Sequence, residues 1–445
     1  MIKKTSLSFI SAVILLSVTG FLPYEFGGAL AQAQDNAQSA ETVKVPAMRN
    51  RVYAQLARAQ KLADEGNKQE GLQVLHEVKD RISSLNSYEQ AMLWNFYGFM
   101  YYGNDNLPLA IESFEKVVAE EAIPLTLRTS TLYSLAQLSM QLQDYDKSLA
   151  YLGKWRKINA KPLTSAQLML FAQIYYQNKD YKGSLNYVNE AIESTLSKNE
   201  TPKENWFILQ RANYYELKQP EKVVNVIEDL VRFYDKPKYW IQLSGMYGEI
   251  GEEEKQLAIM ESAYQAGYVT SSQDIITLVQ LYRFHGVPYK AATLLKKAID
   301  KGNIAAEEKY LDMLAQSYIS SKNDEKAIPV LVKAAEIAET GKFDAFLAQS
   351  YLNLEKWQLA IASAKKAIKR GGVDRLGNMH LVIGMSNFNL KNFDESLTAF
   401  KDAKALKETA KTAEQWYQYV KREQSAQPQL AMLNESNEVD DVNGE

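Results

Sequence analysis

Three histidines, His76, His285 and His380, are scattered along 445 residues, and there is no cysteine. No two of the histidines share a spacing that could hold a metal or assemble a nucleophile–base pair. His285 lies in RFHGVPYK, and its place before Gly286 predicts a solvated turn residue. Zero Cys excludes disulfides, thiolate metal sites and a cysteine nucleophile. Acidic groups do cluster, as at Glu252, Glu253 and Glu254 and at Glu307 and Glu308. Both clusters sit at expected helix starts, where carboxylates meet the positive end of the helix dipole. They therefore do not read as an acid/base pair. No glycine-rich phosphate loop and no H-E-x-x-H is present. The expectation is a chain with no catalytic, cofactor-binding or metal-binding residues, and not an enzyme.

What the sequence does contain is a repeated frame. In LAQSYLNLEKWQLAIASAKKAI (347–368) small and large apolar residues alternate in a way one straight helix does not demand: Leu347, Ala348, Tyr351, Trp357, Ala360, Ile361, Ala367, Ile368. The frame returns in LDMLAQSYISSKNDEKAIPVLVKAA and in ITLVQLYRFHGVPYKAATLLKKAI. The position of Ala360 recurs at Gly71, Ala110, Ser148, Ser184, Val223, Gln256, Ala291, Ala327 and Ser396, at intervals of 33 to 39 residues. Within each half the apolar residues follow the helical period, and the halves are joined by short polar turns such as IGEE and NKDY. Two helices packed against each other explain the mixture. A residue without bulk lets the backbones approach, and large residues fill the space around it. Gly98, Ala110, Ala136, Ala172, Ala291, Ala315, Ala327, Ala348, Ala360 and Gly384 are the expected packing points.

This frame resembles the tetratricopeptide repeat over about residues 50–405. The resemblance implies an all-α solenoid, a right-handed superhelix of about ten helix-turn-helix units spanning 50–407. Some units depart from the pattern. Ser139 and Asn387 stand where Tyr is usual, and Val223 and Gln256 stand where a small residue is usual, which predicts less regular packing there. The resemblance also implies that the first helix of each unit lines a concave groove. In that register the groove positions are Gln60, Phe99, Gln137, Gln173, Ala212, Gly245, Gln280, Gln316, Gln349 and Met385. Three or four residues on come Tyr102, Met140, Tyr176, Tyr215, Arg283 and Phe284. Amides donate and accept at once, which suits a peptide backbone, and tyrosine adds apolar area with a polar tip. Gln60, Phe99, Tyr102, Gln137, Gln173, Tyr176, Tyr215, Gln280, Arg283, Gln316 and Gln349 are the candidate protein-binding residues. Solvated glutamine on an exposed helix face is the competing reading. The carboxylate clamp of co-chaperone domains is not matched, because the second and third units offer Asn95, Phe99, Ser130 and Tyr133 with no basic pair.

The termini read differently. MIKKTSLSFISAVILLSVTGF followed by ALAQAQ has two lysines, an apolar run and small-x-small cleavage sites after Ala31 and Ala33. Residues 1–31 are expected to be a secretory signal peptide and 32–49 a flexible leader. Loss of Lys3, Lys4 and Glu25 moves the formal net charge from −3 to −4. Charges of both signs are interspersed with no basic stripe, which argues against nucleic acid as a partner. Nothing after the signal peptide is apolar and long enough to span a membrane. ETAKTAEQWYQYVKR (408–422) predicts a capping helix, with Trp416, Tyr417 and Val420 inward. Residues 423–445 lack Lys and Arg and carry few large apolar residues, which predicts a disordered acidic tail.

LNSYEQAMLWNFYGFMYY (85–102), TPKENWFILQRANYYEL (201–217) and KYWIQLSGMYGEIGEEEKQLA (238–258) are more specific than the repeat frame. They resemble secreted tetratricopeptide proteins of gamma-proteobacteria associated with TonB, ExbB and ExbD energy-transduction components. That resemblance implies a periplasmic, non-enzymatic adaptor, peripheral to the membrane at most. Its partners would be a protein or extended peptide segment, such as TonB-type components or outer-membrane receptors. It carries no catalytic residues and no cofactor. The alternative is a structural scaffold in envelope secretion or polysaccharide assembly.

Overall fold

The computed structural model describes residues 44–442. The expected signal peptide and most of the leader lie outside the described residues. All regular structure there is helical, and the long helices fall into ten antiparallel pairs. The first four pairs are α1 (Asn50–Asp64) with α2 (Lys68–Lys79), α3 (Ser87–Gly103) with α4 (Leu107–Ala119), α5 (Leu125–Gln141) with α6 (Tyr145–Ile158), and α7 (Ser165–Gln177) with α8 (Tyr181–Leu196). A short 3-10 turn, Ile82–Ser84, precedes α3. The next three are α9 (Glu204–Glu216) with α10 (Pro220–Tyr234), α11 (Pro237–Glu249) with α12 (Glu253–Gln265), and α13 (Ser272–Phe284) with α14 (Pro288–Asp300). The last are α15 (Glu308–Ser320) with α16 (Asp324–Ile337), α17 (Lys342–Asn353) with α18 (Trp357–Arg370), and α19 (Leu376–Asn389) with α20 (Phe393–Lys404), followed by α21 (Ala410–Val442).

The array divides after Pro202 into two units, one of four pairs and one of six pairs plus α21, each an α-solenoid stack. The joining segment 197–203, SKNETPK, has no large apolar side chain with which to continue a core. The second difference from expectation is α21. It continues through residues 423–442, where a disordered tail is expected. Few apolar residues argue against a packed core, yet Gln, Leu, Ala, Met and Glu are good helix formers without one.

The ten expected packing residues are all buried, the eight alanines at 0% exposure. For the first-helix members, the neighbour sixteen residues on explains why they are small. A Cβ on Gly98 would lie 2.6 Å from the Phe114 ring, and one on Gly384 would lie 2.7 Å from the Phe400 ring. Where the first helix carries alanine, as at Ala59, Ala136, Ala172, Ala315 and Ala348, the residue sixteen on is smaller: Leu75, Leu152, Val188, Leu331 and Ala364, all buried. At these seven crossings glycine goes with phenylalanine and alanine with aliphatics, so their summed volume stays within what one interhelical gap holds.

Serine at the second-helix crossing position adds a hydrogen bond across the pair. Ser148 Oγ donates to the Ala136 carbonyl at 2.7 Å, Ser184 Oγ to Ala172 at 2.7 Å and Ser396 Oγ to Gly384 at 2.8 Å. The departures from the repeat pattern are accommodated individually. Ser244 Oγ donates the opposite way, to the Gln256 carbonyl at 2.9 Å. The bulk of Gln256 fits because Gly248 faces it; a Cβ there would be 2.6 Å from the amide nitrogen. Asn387 is buried and donates to the Ile383 carbonyl at 3.0 Å.

The turn inside each pair has one geometry. Five residues before the second-helix crossing position the backbone is left-handed in all ten pairs, at Gly66, Asp105, Gln143, Lys179, Lys218, Gly251, Gly286, Lys322, Glu355 and Lys391. The next N–H reaches back five residues, as from Asn323 to the Tyr318 carbonyl at 2.9 Å, closing a helix-terminating Schellman turn. Only three of the ten use glycine, although a side chain at positive φ costs about 1–2 kcal/mol. The seven others are held by the packing on either side.

Two predictions follow from the crossings and the turns. Gly384→Ala should lower the unfolding midpoint and speed hydrogen exchange in α19 and α20. Adding Phe400→Leu to it should recover part of the loss, and no recovery would break the size-matching account. Lys322→Gly should raise stability in urea by up to about 1 kcal/mol, the relief of strain less the entropy cost of glycine.

Candidate protein-binding face

In the second unit several first helices are linked directly by side chains. Tyr239 on α11 donates its hydroxyl to Glu204 on α9. Arg211 on α9 donates to Gln242 on α11 at 2.5 Å. Arg283 on α13 donates to Gln316 on α15 at 3.3 Å, and Lys342 on α17 donates to Asp312 on α15 at 2.7 Å. Polar side chains thus join α9 to α11, and α13 through α15 to α17.

The eleven candidate residues fall in two sets. Gln60, Phe99, Tyr102, Gln137, Gln173 and Tyr176 belong to α1, α3, α5 and α7 of the first unit and are half-buried. Tyr215, Gln280, Arg283, Gln316 and Gln349 belong to α9, α13, α15 and α17 of the second. All of these except the half-buried Gln316 are exposed, Tyr215 at 58%. Not every one faces outward alone. The Phe99 ring packs edge-on against Phe114, 5.2 Å between centroids, and Tyr176 lies 5.5 Å from Tyr181.

Several of the glutamines are already engaged. Gln60 donates to Asp64 at 2.7 Å, Gln316 to Asp312 at 2.8 Å and Gln349 to Asn353 at 2.9 Å, each one helical turn on or back. Together, Arg283, Gln316, Asp312 and Lys342 make a polar chain over three first helices. Sequence reasoning treated each glutamine separately and missed Asp312, Lys342, Arg211 and Gln242. The four-residue spacings were readable as helix neighbours. The bonds between repeats had no local signal.

Charge on this face is compensated in most places. Glu204, at the start of α9, accepts from Lys236 and the Tyr239 hydroxyl and lies 3.2 Å from Lys238. These partners pull its carboxyl down to about 2. At the start of the first unit Glu89, with no exposed side-chain area, accepts from the Arg49 guanidinium at 2.6 Å and from the backbone N–H of Arg49 and Asn86. Its carboxyl is likewise held down at about 2, chiefly by the Arg49 side chain.

The three histidines stay apart. His76 Nδ1 is 2.7 Å from the Tyr97 hydroxyl, and His380 Nδ1 is 3.8 Å from Asp402. The His285 ring lies edge-on to Phe284 with centroids 5.2 Å apart. It borders an open depression of 380 Å³ beside Glu252, Glu253 and Glu254. A second open depression, 510 Å³, is lined by Arg283, Phe284, Gly286, Pro288 and Ser320. Among the described residues no group of three or more His, Asp or Glu is placed to hold a metal ion. No helix among them is long and apolar enough to cross a membrane.

Two segments match tetratricopeptide-repeat family models, residues 308–340 and 347–411. The first covers α15 and α16, and the second runs from α17 through α20. These two segments carry tetratricopeptide repeats. Similar solved structures include the C-terminal part of a tetratricopeptide repeat-containing protein from Cytophaga hutchinsonii (18% identity over 55% of this chain and 98% of that one, TM-score 0.35). Another is a tetratricopeptide repeat protein from Parabacteroides merdae (12% identity, 67% and 99% covered, TM-score 0.29). A third is the TPR2AB domain of yeast Sti1 in its pHSP90 complex (15% identity, 58% and 98% covered, TM-score 0.26). No curated protein matches the chain. Tetratricopeptide domains bind protein or peptide partners, so the repeats point to a protein-binding scaffold.

The two depressed carboxylates give a signed pH dependence. A folded-state pKa below the unfolded value stabilises above the unfolded value and ceases to do so as pH falls through the folded one. Glu204→Gln should therefore be less stable than the wild type at pH 6, and the gap between their thermal midpoints should close as pH falls from about 5 to about 2. A gap constant over that range would mean that ionised Glu204 contributes nothing to the fold.

Proposed function

We propose that this chain is a non-enzymatic periplasmic scaffold whose first-helix faces bind an extended protein segment. We propose further that it acts as an accessory to a TonB-type outer-membrane transport system. The observation that carries the scaffold reading is the set of amide, aromatic and arginine side chains on the first helices, half-buried on α1, α3, α5 and α7 and mostly exposed on α9, α13, α15 and α17. Such side chains offer paired donors and acceptors to a peptide backbone, with apolar area beside them. The apolar run and the small-x-small sites of residues 1–33 support export. The resemblance of the inter-repeat phrases supports the TonB link.

The test is a crosslinking pull-down of the full chain from intact periplasm, with partners identified by mass spectrometry. TonB, ExbB or ExbD-type proteins, or their receptors, are expected. Recovery of secretion or polysaccharide-assembly components would move the scaffold to that machinery. Gln173→Ala combined with Tyr176→Ala should cut capture several-fold and leave thermal unfolding unchanged; undiminished capture would remove the first unit's face from the binding surface.

A further inference from the structure

Nine of the ten pairs hold Ala, Gly, Ser or Val at the first-helix crossing position, and the fifth holds Arg211. A guanidinium cannot occupy a gap that elsewhere admits nothing larger than the valine side chain, and the side chain of Arg211 reaches toward α11 instead. There it is half-buried, and its one hydrogen bond among the described residues is Nη1 to Gln242 Oε1 at 2.5 Å. No carboxylate among the described residues lies within 4.0 Å of it. The acid seven residues back on α9, Glu204, is committed to Lys236, Lys238 and the Tyr239 hydroxyl. Burial lowers the pKa of Arg211 from its ordinary value, the mark of a charge without a counter-charge.

Five N–H donors serve a guanidinium, and one here is used within the chain. Nε and Nη2 of Arg211 have no partner among the described residues and are not sealed from solvent. One helical turn on stands Tyr215, 58% exposed. A half-buried guanidinium with free donors, an amide that orients it and an exposed aromatic ring beside it match the requirements of a peptide carboxylate with apolar atoms next to it.

We propose that Arg211, oriented by Gln242 and flanked by Tyr215, is the binding point for a carboxylate of the peptide segment bound by the second unit. The inference rests on the scaffold reading above and adds the chemistry of what is recognised. It differs from the co-chaperone clamp, because the cation arises from the crossing position itself. The free protein bears the cost of an uncompensated charge, and the bound carboxylate removes it.

The experiment uses the full-length wild type and Arg211→Ala, which restores the small residue of the other pairs. Without added ligand Arg211→Ala should unfold at a higher temperature. Sodium acetate against sodium chloride at equal ionic strength should raise the midpoint of the wild type and not that of the variant. On an array of decapeptides with and without Asp or Glu, each with free or amidated C-terminus, the wild type should select carboxylate-bearing peptides. Those peptides should bind the variant about tenfold more weakly. Loss on amidation assigns the carboxylate to a chain end, and persistence assigns it to an acidic side chain. Equal capture of the same acidic peptides by the variant, or an acetate shift that survives in it, overturns the site. Peptides bound without acidic preference overturn the site and keep the scaffold. An array blank for both proteins overturns the scaffold reading, and the acetate comparison then decides Arg211 alone.

Discussion

The contact between a first-helix residue and the residue sixteen further on, at the crossing of each helix pair, is the constraint on which everything else depends. It sets how closely two backbones approach. Where the second helix brings a phenyl ring, as Phe114 and Phe400 do, the first helix has no side chain at all. Where the second helix brings leucine or valine, the first has a methyl at Ala59, Ala136, Ala172 and Ala315, and only Val279 against Leu295 carries more. Each pair buries little by itself, and the apolar faces left over are covered by the next pair. One large buried cluster runs from Met260 on α12 to Leu347 on α17 without interruption, and another from Ala91 on α3 to Ile174 on α7. Nearest-neighbour burial of this kind lets a chain of 445 residues avoid building a single deep core.

Short polar staples fix the order in which the pairs stack. Arg370, near the end of α18, pairs with the buried Asp344 of α17 at 2.8 Å and donates to carbonyls at the end of α16. That one side chain holds three successive helices and satisfies helix-end carbonyls that would otherwise lack partners. Glu204 does similar work at the start of α9, and Glu89 ties Arg49, before α1, to α3. These staples leave the exposed first-helix side chains positioned on a rigid support, and ordered support is what a peptide-binding face needs to avoid ordering costs on binding.

The turns show how far tertiary packing overrides local preference. Ten left-handed residues occupy equivalent places, and seven of them carry a side chain. No turn propensity selects Lys179, Lys218, Lys322 or Lys391 for that conformation. The two helices of each pair are clamped by their crossing, so the connecting backbone takes the one path that joins them. The same override explains Gln256, whose bulk is taken up by Gly248 eight residues earlier, and Arg211, whose side chain leaves the crossing altogether.

Pattern alone determined the ten helix pairs, their register and the burial of the small crossing residues from Gly98 to Gly384, with Arg211 and Gln256 the half-buried exceptions. Those features depend on spacing within about 34 residues, and helical period and side-chain volume can be read at that range. The tertiary structure decided what lies between repeats. It split the array after Pro202, carried α21 past Arg422, and engaged Gln316 with Arg283 and Asp312, thirty-three residues back and four residues back respectively. It also left Arg211 without a carboxylate. A one-dimensional period says where each face points, but which side chains meet across neighbouring repeats depends on how successive pairs superpose, and that is set only when the cores have packed.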